Sequence, residues 1–278
     1  MNQVTISNPE QLKKKITKLK KQGVNGFHVV ADFDRTLTKA YINGETHTSY
    51  ELLRKGKYLT SDYSPRSYAL FYEYYPIEIS ETTPLEEKSK KMTEWWTKHY
   101  DLNIECGLSL DVIKEIVKKN KIQLRQGAEE LLDLLAKNNI PILIFSAGLG
   151  DVIKEYLKSV NKLTKNVHII SNFFKFDKKG KAVSYTKPLI HTFNKNEIQV
   201  KHHKYQNEVI KRKNVILLGD DLGDLGMTKG IEHDTIIKIG FLNHHVEKFI
   251  DKFSEAFDAV ILHDGTMDYV NKLVKEIL

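Results

Sequence analysis

The pattern of apolar and polar positions divides this chain into an α/β part interrupted by a helical one. Leu12, Ile16 and Leu19 recur at helical spacing over Asn8–Lys21, with a proline at the start, and predict a basic amphipathic helix packed on a core. Phe27-His28-Val29-Val30-Ala31 is an apolar run of strand length that stops abruptly at Asp32 and Asp34. From about Thr38 to Leu124 strand-like runs disappear, and helical patterns rich in Tyr, Trp, Lys and Glu replace them. Ser67–Tyr75 predicts a helix ending before Pro76, and Thr83-Pro84-Leu85 opens another through Met92, Trp95 and Trp96. Leu110–Asn120 turns Val112, Ile113, Ile116 and Val117 inward. This block reads as a helical insertion lying over the end of the first strand.

After Gly127 the alternation becomes regular. Ala128–Asn138 is helical, and Ile140–Phe145 is a buried strand ending at Ser146-Ala147-Gly148. Helix Asp151–Val160 leads to strand Val167–Ile170, then to a hairpin turning at Asp177-Lys178-Lys179-Gly180. Strands follow at Val215–Leu218, Ile236–Ile239 and Ala259–Leu262, with helical segments between. Short apolar strands separated by helices predict an α/β fold, Rossmann-like, with a mostly parallel sheet covered by helices on both faces. The expected organisation is a core of residues 1–40 and 125–278 with residues 41–124 inserted after the first strand.

Composition adds little to the fold but narrows the setting. A length of 278 residues, 41% hydrophobic and 28% charged, is enough for one large domain or a core with an inserted smaller one. Lysine and arginine total 43 against 36 acids, and the net charge of +7 favours anionic ligands, although the lysines are spread along the chain. The single Cys106 excludes an intrachain disulfide and reads as a buried thiol. No apolar signal segment opens the chain and no stretch reaches the length of a membrane span, so a cytoplasmic protein with no membrane partner is expected.

Candidate chemistry gathers at the predicted strand ends. In an extended backbone Asp32 and Asp34 begin on the same face, and like charges that close are costly unless a cation or a reacting group uses them. Ligands of such sheets sit beyond the carboxyl ends of the strands. Three strands end there in useful groups: Asp32 with Asp34, Ser146 with small neighbours, and Gly219-Asp220-Asp221-Leu222-Gly223-Asp224. Oxygen-only ligands point to Mg2+. No dinucleotide glycine fingerprint or P-loop occurs. Lys201-His202-His203-Lys204 reads as an exposed basic loop, and His28 as a satisfied core histidine. Tyr68–Tyr75 with Trp95 and Trp96 reads as the core of the insertion, with base stacking as the alternative.

Asp32-x-Asp34-x-Thr36, Ser146, a later lysine and Gly219-Asp220-x-x-x-Asp224 resemble the haloacid dehalogenase superfamily of phosphotransferases. The ordered stretches ADFDRTLT, YYPIEI, EWWTKH, IPILIFSAGLGDVI, LIHTFNKN, NVILLGDDLGDLGM and IIKIGFLN are similar to the cytosolic 5'-nucleotidase III, or pyrimidine 5'-nucleotidase, family. The resemblance implies a helical cap over a haloacid dehalogenase-like core. It also implies Mg2+-dependent hydrolysis of nucleoside 5'-monophosphates through an aspartyl-phosphate, with phosphate transfer to another nucleoside as a related activity. By resemblance Asp32 is the nucleophile, and Asp34 the general acid and then base. Mg2+ is held by Asp32, the Asp34 carbonyl and Asp220, and Asp224 orients that shell. Ser146 and the Ala147 N–H bind phosphate oxygens, and Lys195 adds positive charge, whereas Lys187 is left to the solvated surface. Glu78 matches the base-contacting glutamate, and Trp96 is either a stacking face or core. Trp95-Trp96 resembles the subgroup active on 7-methylguanosine monophosphate, so CMP, UMP and 7-methyl-GMP are all expected substrates. His99, placed with the substrate-binding residues, stands where relatives have a small residue. A monomer without nucleic acid is expected. A phosphatase of another small phosphomonoester, or a non-catalytic nucleotide- or RNA-binding protein, is the alternative reading.

Overall fold

In the computed structural model, residues 4–119, 121–196, 204–229 and 232–278 are described. The chain opens with β1 (Val4–Ile6) and α1 (Pro9–Gln22), followed by β2 (Phe27–Ala31). Asn8 caps α1 by accepting the Gln11 N–H at 2.9 Å, and Pro9 occupies a position that needs no N–H. Next come the hairpin β3 (Tyr41–Ile42) and β4 (Glu45–Thr46), then α2 (Ser49–Lys55), α3 (Tyr63–Ile79), α4 (Leu85–Glu105) and α5 (Leu110–Lys118). The alternating part contains α6 (Ala128–Lys137), β5 (Ile142–Leu149), α7 (Gly150–Ser159), β6 (Val167–Asn172), and the hairpin β7 (Phe174–Phe176) and β8 (Ala182–Tyr185). It ends with α8 (Lys204–Val209), β9 (Asn214–Gly219), β10 (Thr235–Leu242), α9 (Val246–Ala256), β11 (Ala259–Leu262) and α10 (Asp268–Ile277).

Seven strands make the main sheet in the order β1-β11-β10-β9-β2-β5-β6. All neighbours are parallel except β1 with β11. The first long apolar run is therefore the middle of the sheet, and every residue of β2 is buried. Its register sets Ala31 beside Ile144 of β5 and Leu218 of β9. The strand order switches sides of the sheet at β2, with β5 and β6 added on one side and β9 to β11 on the other, so the ends of β2, β5 and β9 open onto one crevice. One large apolar cluster joins α1, α6, α7 and α10 to the sheet and continues into Leu52, Tyr63, Tyr100, Leu108, Ile113 and Ile116. A smaller one around Val30, Phe145, Tyr205 and Leu217 covers the other face. Tyr74, Met92 and Trp95 form a separate cluster between α3 and α4, with the Tyr74 and Trp95 rings stacked at 5.9 Å.

The α/β expectation holds, with local corrections. Helix α3 runs through Pro76 to Ile79, although the sequence predicts its end at Tyr75. Proline removes one N–H from the ladder, and the packing of Tyr74 on Met92 and Trp95 outweighs that loss. β1 is three residues long and carries too little pattern to be read. Cys106 is free and buried. His28 is fully buried, but only Nδ1 has a partner, the Tyr205 hydroxyl at 2.5 Å, and Nε2 has none. Asn120, Lys201, His202 and His203 lie outside the described residues. Among the described residues no helix is long and apolar enough to cross a membrane.

Arg125, 2% exposed, stitches together four segments around the carboxyl end of the sheet. Its guanidinium donates to the carbonyls of Thr36 at 2.8 Å, Gly265 at 2.7 Å and Arg35 at 2.5 Å, and to Asn243 Oδ1 at 3.0 Å. It also pairs with Asp264 at 2.8 Å, and Asp264 accepts the Ala40 N–H at 2.9 Å. The segments that flank residues 41–124 thus meet at one buried cation. Arg125→Met is expected to lose about 3 kcal/mol of stability, because carbonyls and a carboxylate lose their donor together. A urea midpoint equal to that of the parent chain would refute this.

Candidate active site

The Asp32 N–H donates to Leu218 O at 3.0 Å, which carries the ladder one residue beyond β2. The chain then turns tightly over Phe33–Leu37, closed by Thr38 N–H on Phe33 O at 3.0 Å. Within the turn Arg35 adopts φ +64°, a left-handed conformation that is uncommon for a residue with a Cβ. Two donors on its carbonyl, from Arg125 and from Asn243 Nδ2 at 3.0 Å, hold it there. The turn places Thr36 Oγ1 on Asp220 Oδ1 at 3.2 Å and directs the Asp34 carboxylate toward α2. There the Ser49 N–H and hydroxyl donate to its two oxygens at 3.0 and 2.8 Å.

The buried ammonium of Lys195 binds Asp32 Oδ1 at 2.5 Å and Asp224 Oδ1 at 2.8 Å. The other oxygen of Asp224 accepts the N–H groups of Asp220 and Asp221 at 3.0 and 3.1 Å. Gly219 makes this possible, since a Cβ there would overlap Asp224. Oxygens of Asp32, Asp220 and Asp224 lie within 4.8 Å of one another. Burial raises the pKa of Asp32 well above the usual carboxylate range, against the pull of Lys195, and Asp224 and Asp220 add to the rise. Asp220 is pushed up to about 7, first by burial and then by Asp224. Burial alone would lower Lys195, but Asp224 and Asp32 outweigh it and keep the amine charged. Asp32 and Asp220 thus hold protons more tightly than ordinary carboxylates, and a cation stronger than one ammonium would reverse that shift. An all-oxygen donor set with surplus negative charge fits a hard divalent metal.

Ser146 is buried, and its Oγ accepts the Gly148 N–H at 3.0 Å. The Ala147 carbonyl accepts the Trp96 indole N–H at 3.2 Å and Asn172 Nδ2 at 2.9 Å. Trp96 therefore ties α4 to the end of β5, while its ring meets Tyr50 edge-on at 5.7 Å and Trp95 at 4.9 Å. Glu78, half-buried at the end of α3, accepts the Thr192 hydroxyl at 2.7 Å, and burial raises its pKa. Thr192 belongs to the segment that carries Lys195, so the base-contact candidate and the lysine share one support.

His99, which the sequence reading groups with the substrate contacts, lies among the helices of residues 41–124. It is 4% exposed, with Nε2 between Tyr63 Oη at 3.2 Å and Ser67 Oγ at 3.3 Å, and burial lowers its pKa to about 3. It is a neutral histidine of the helical interior. Lys187 is exposed, with its ammonium 5.5 Å from the Tyr185 ring. Sequence reasoning missed Ser49, Arg125, Thr192, Asn243 and Asp264. Only Ser49 had a signal beside it: Thr48-x-x-Glu51 is a capping box and marks the start of α2.

Fold and site together define a haloacid dehalogenase-like hydrolase: an open parallel sheet with an aspartate nucleophile candidate at the central strand end and an acidic cluster beside it. A Salmonella hydrolase of that class aligns with TM-score 0.61 at 17% identity over 98% of this chain and 82% of its own, a likeness of fold. The pyrimidine 5'-nucleotidase (UMPH-1) family model matches residues 35–278, and the chain belongs to that family. It is 38% identical to a 7-methylguanosine phosphate-specific 5'-nucleotidase of Gallus gallus, over 99% of this chain and 96% of the relative. The Homo sapiens protein of that name is 35% identical over 99% of this chain and 92% of its own. The crystal structure of cytosolic 5'-nucleotidase IIIB bound to cytidine superposes with TM-score 0.91 at 32% identity, covering 100% of this chain and 94% of that one.

Removing the lysine tests the electrostatics. Lys195→Ala is expected to cost about 3 kcal/mol in chelator at neutral pH, since buried carboxylates lose their counter-charge. Millimolar divalent cation should then raise the thermal midpoint more in the variant than in the parent. Equal shifts in both would show that Lys195 and the cation do not act on the same cluster.

Proposed function

We propose that this chain is a Mg2+-dependent 5'-nucleotidase acting on CMP, UMP and 7-methyl-GMP. The observation that carries the reading is the Asp32–Lys195–Asp224 triad beside Asp220 at the carboxyl end of the central strand. Its place in the pyrimidine 5'-nucleotidase family supports the nucleotide as substrate class. Residues 41–124 serve as the cap and the remainder as the core.

Asp32 attacks phosphorus, the bond to the ribose 5'-oxygen breaks, and Asp34 gives that oxygen its proton. Asp34 then takes a proton from the water that attacks the aspartyl-phosphate, which returns Asp32 and releases phosphate. A nucleoside hydroxyl in place of that water gives phosphate transfer. Ser146 and the Ala147 N–H bind phosphate oxygens, and Lys195 offsets charge on Asp32 and on the transferred group. Asp32, Asp220 and the Asp34 carbonyl would hold Mg2+, with Asp224 behind them, and the ion would neutralise charge on phosphate and carboxylates. Glu78 accepts hydrogen bonds from the base. The Trp96 face suits a cationic methylated purine, and the Trp95-Trp96 pair favours 7-methyl-GMP among the three substrates.

A panel of CMP, UMP, 7-methyl-GMP, AMP, phosphoserine and sugar phosphates, run with and without Mg2+, tests the assignment. Phosphate release is expected from the first three, only with Mg2+, and not from Asp32→Asn. A preference for non-nucleotides would replace the reading with a phosphatase of another phosphomonoester. Salt-sensitive RNA binding without phosphate release would replace it with a binding protein.

A further inference from the structure

Ser49 is fully buried at the first position of α2, yet its hydroxyl has no part in capping that helix. Thr48 Oγ1 accepts the Glu51 N–H at 3.2 Å, and Glu51 Oε2 accepts the Thr48 N–H at 2.9 Å, so the capping box is complete without it. Instead the Ser49 hydroxyl donates to Asp34 Oδ2 at 2.8 Å and accepts the Leu149 N–H at 3.1 Å. The Ser49 N–H, which has no partner inside the helix, donates to Asp34 Oδ1 at 3.0 Å. One residue thus joins three elements: the turn after β2, the first helix of the insertion, and the end of β5 that carries Ser146.

The backbone around Gly148 gives independent evidence that this junction is built tightly. A Cβ on Gly148 would overlap the Ser49 hydroxyl, and would fall 2.8 Å from Asp34 Oδ2 and 3.1 Å from Ser146 Oγ. The three side chains converge on one backbone position that only glycine vacates. Asp34 meanwhile has no other side-chain partner at hydrogen-bond distance among the described residues.

We propose that Ser49 is the positioning residue for Asp34, and that docking of α2 against β5 is what aims the proton donor of the reaction. The proposal rests on the nucleotidase reading above. In the first step the Asp32 oxygen–phosphorus bond forms, the phosphorus–O5' bond breaks with its electron pair going to O5', and the Asp34 proton moves to O5'. Only the last of these events needs Ser49. A leaving atom that departs without a proton should therefore be indifferent to it. The bridging sulfur of a 5'-thio nucleotide is such an atom, because a thiol ionises far more readily than an alcohol.

The experiment compares single-turnover nucleoside release from 7-methyl-GMP and from its 5'-bridging thio analogue, in the parent enzyme and in Ser49→Ala. The variant is expected to lose about tenfold or more on the oxygen substrate and to stay within about twofold on the sulfur one, part of what a positioned acid contributes. KM should move little, since Ser49 does not touch substrate. Equal losses on both substrates would mean that Ser49 only holds the fold, and no loss on either would mean that Asp34 is aimed by something else. Both results overturn the proposal. A parent enzyme inactive on nucleotides would instead remove the nucleotidase reading.

Discussion

The Lys195 ammonium shared by Asp32 and Asp224 is the interaction on which the rest of the site depends. Asp32, Asp220 and Asp224 converge where the sheet offers little water, and a buried carboxylate without a partner would take up a proton. Lys195 pulls the pKa of Asp32 down against its burial, which still holds it above the usual carboxylate range. Asp224 is committed to Lys195 on one oxygen and to two main-chain N–H groups on the other. Asp220 keeps an oxygen within reach of the others, and its pKa, raised like that of Asp32, is pushed up to about 7. A cluster arranged in this way favours a divalent cation because every ligand atom is a hard oxygen.

The same cluster explains why the turn after β2 tolerates strain. A left-handed Arg35 costs about 1–3 kcal/mol where nothing else holds it. Arg125 and Asn243 fix its carbonyl, and the reward is geometric: Asp32 stays on the strand end while Thr36 reaches Asp220 and Asp34 turns to α2. Arg125 is also the residue at which the insertion rejoins the core. The clamp on the catalytic turn and the clamp on the two connecting segments are thus one side chain.

What the sequence shows and hides follows from how local each signal is. Asp32, Ser146 and Asp220 each end an apolar run, and strand ends in a parallel sheet face one crevice, so the centre of the site is legible from pattern alone. The Lys195 assignment needed the family motif, because its segment has no periodicity. Arg125, Ser49 and Asn243 act through contacts with residues distant in the chain, such as the pair Asn243 and Arg35. No local spacing encodes those. The surroundings of His99 are hidden for the same reason: its neighbours Tyr63 and Ser67 arrive from another helix and enclose it. Pro76 misled in the opposite sense, since a local rule was overridden by aromatic packing.

Residues 41–124 reach the rest of the chain through polar contacts of different kinds, among them Ser49 on Asp34, Trp96 on the Ala147 carbonyl, and Glu78 on Thr192. The first meets the turn after β2, the second the end of β5, and the third the segment bearing Lys195. Glu78 and Trp96 are also the residues that would meet a base, and neither can shift without disturbing a contact to the core. Under the proposed function, a base that drew Glu78 away from Thr192 would act on the segment whose Lys195 binds Asp32, so that base contact and phosphoryl chemistry would share one support.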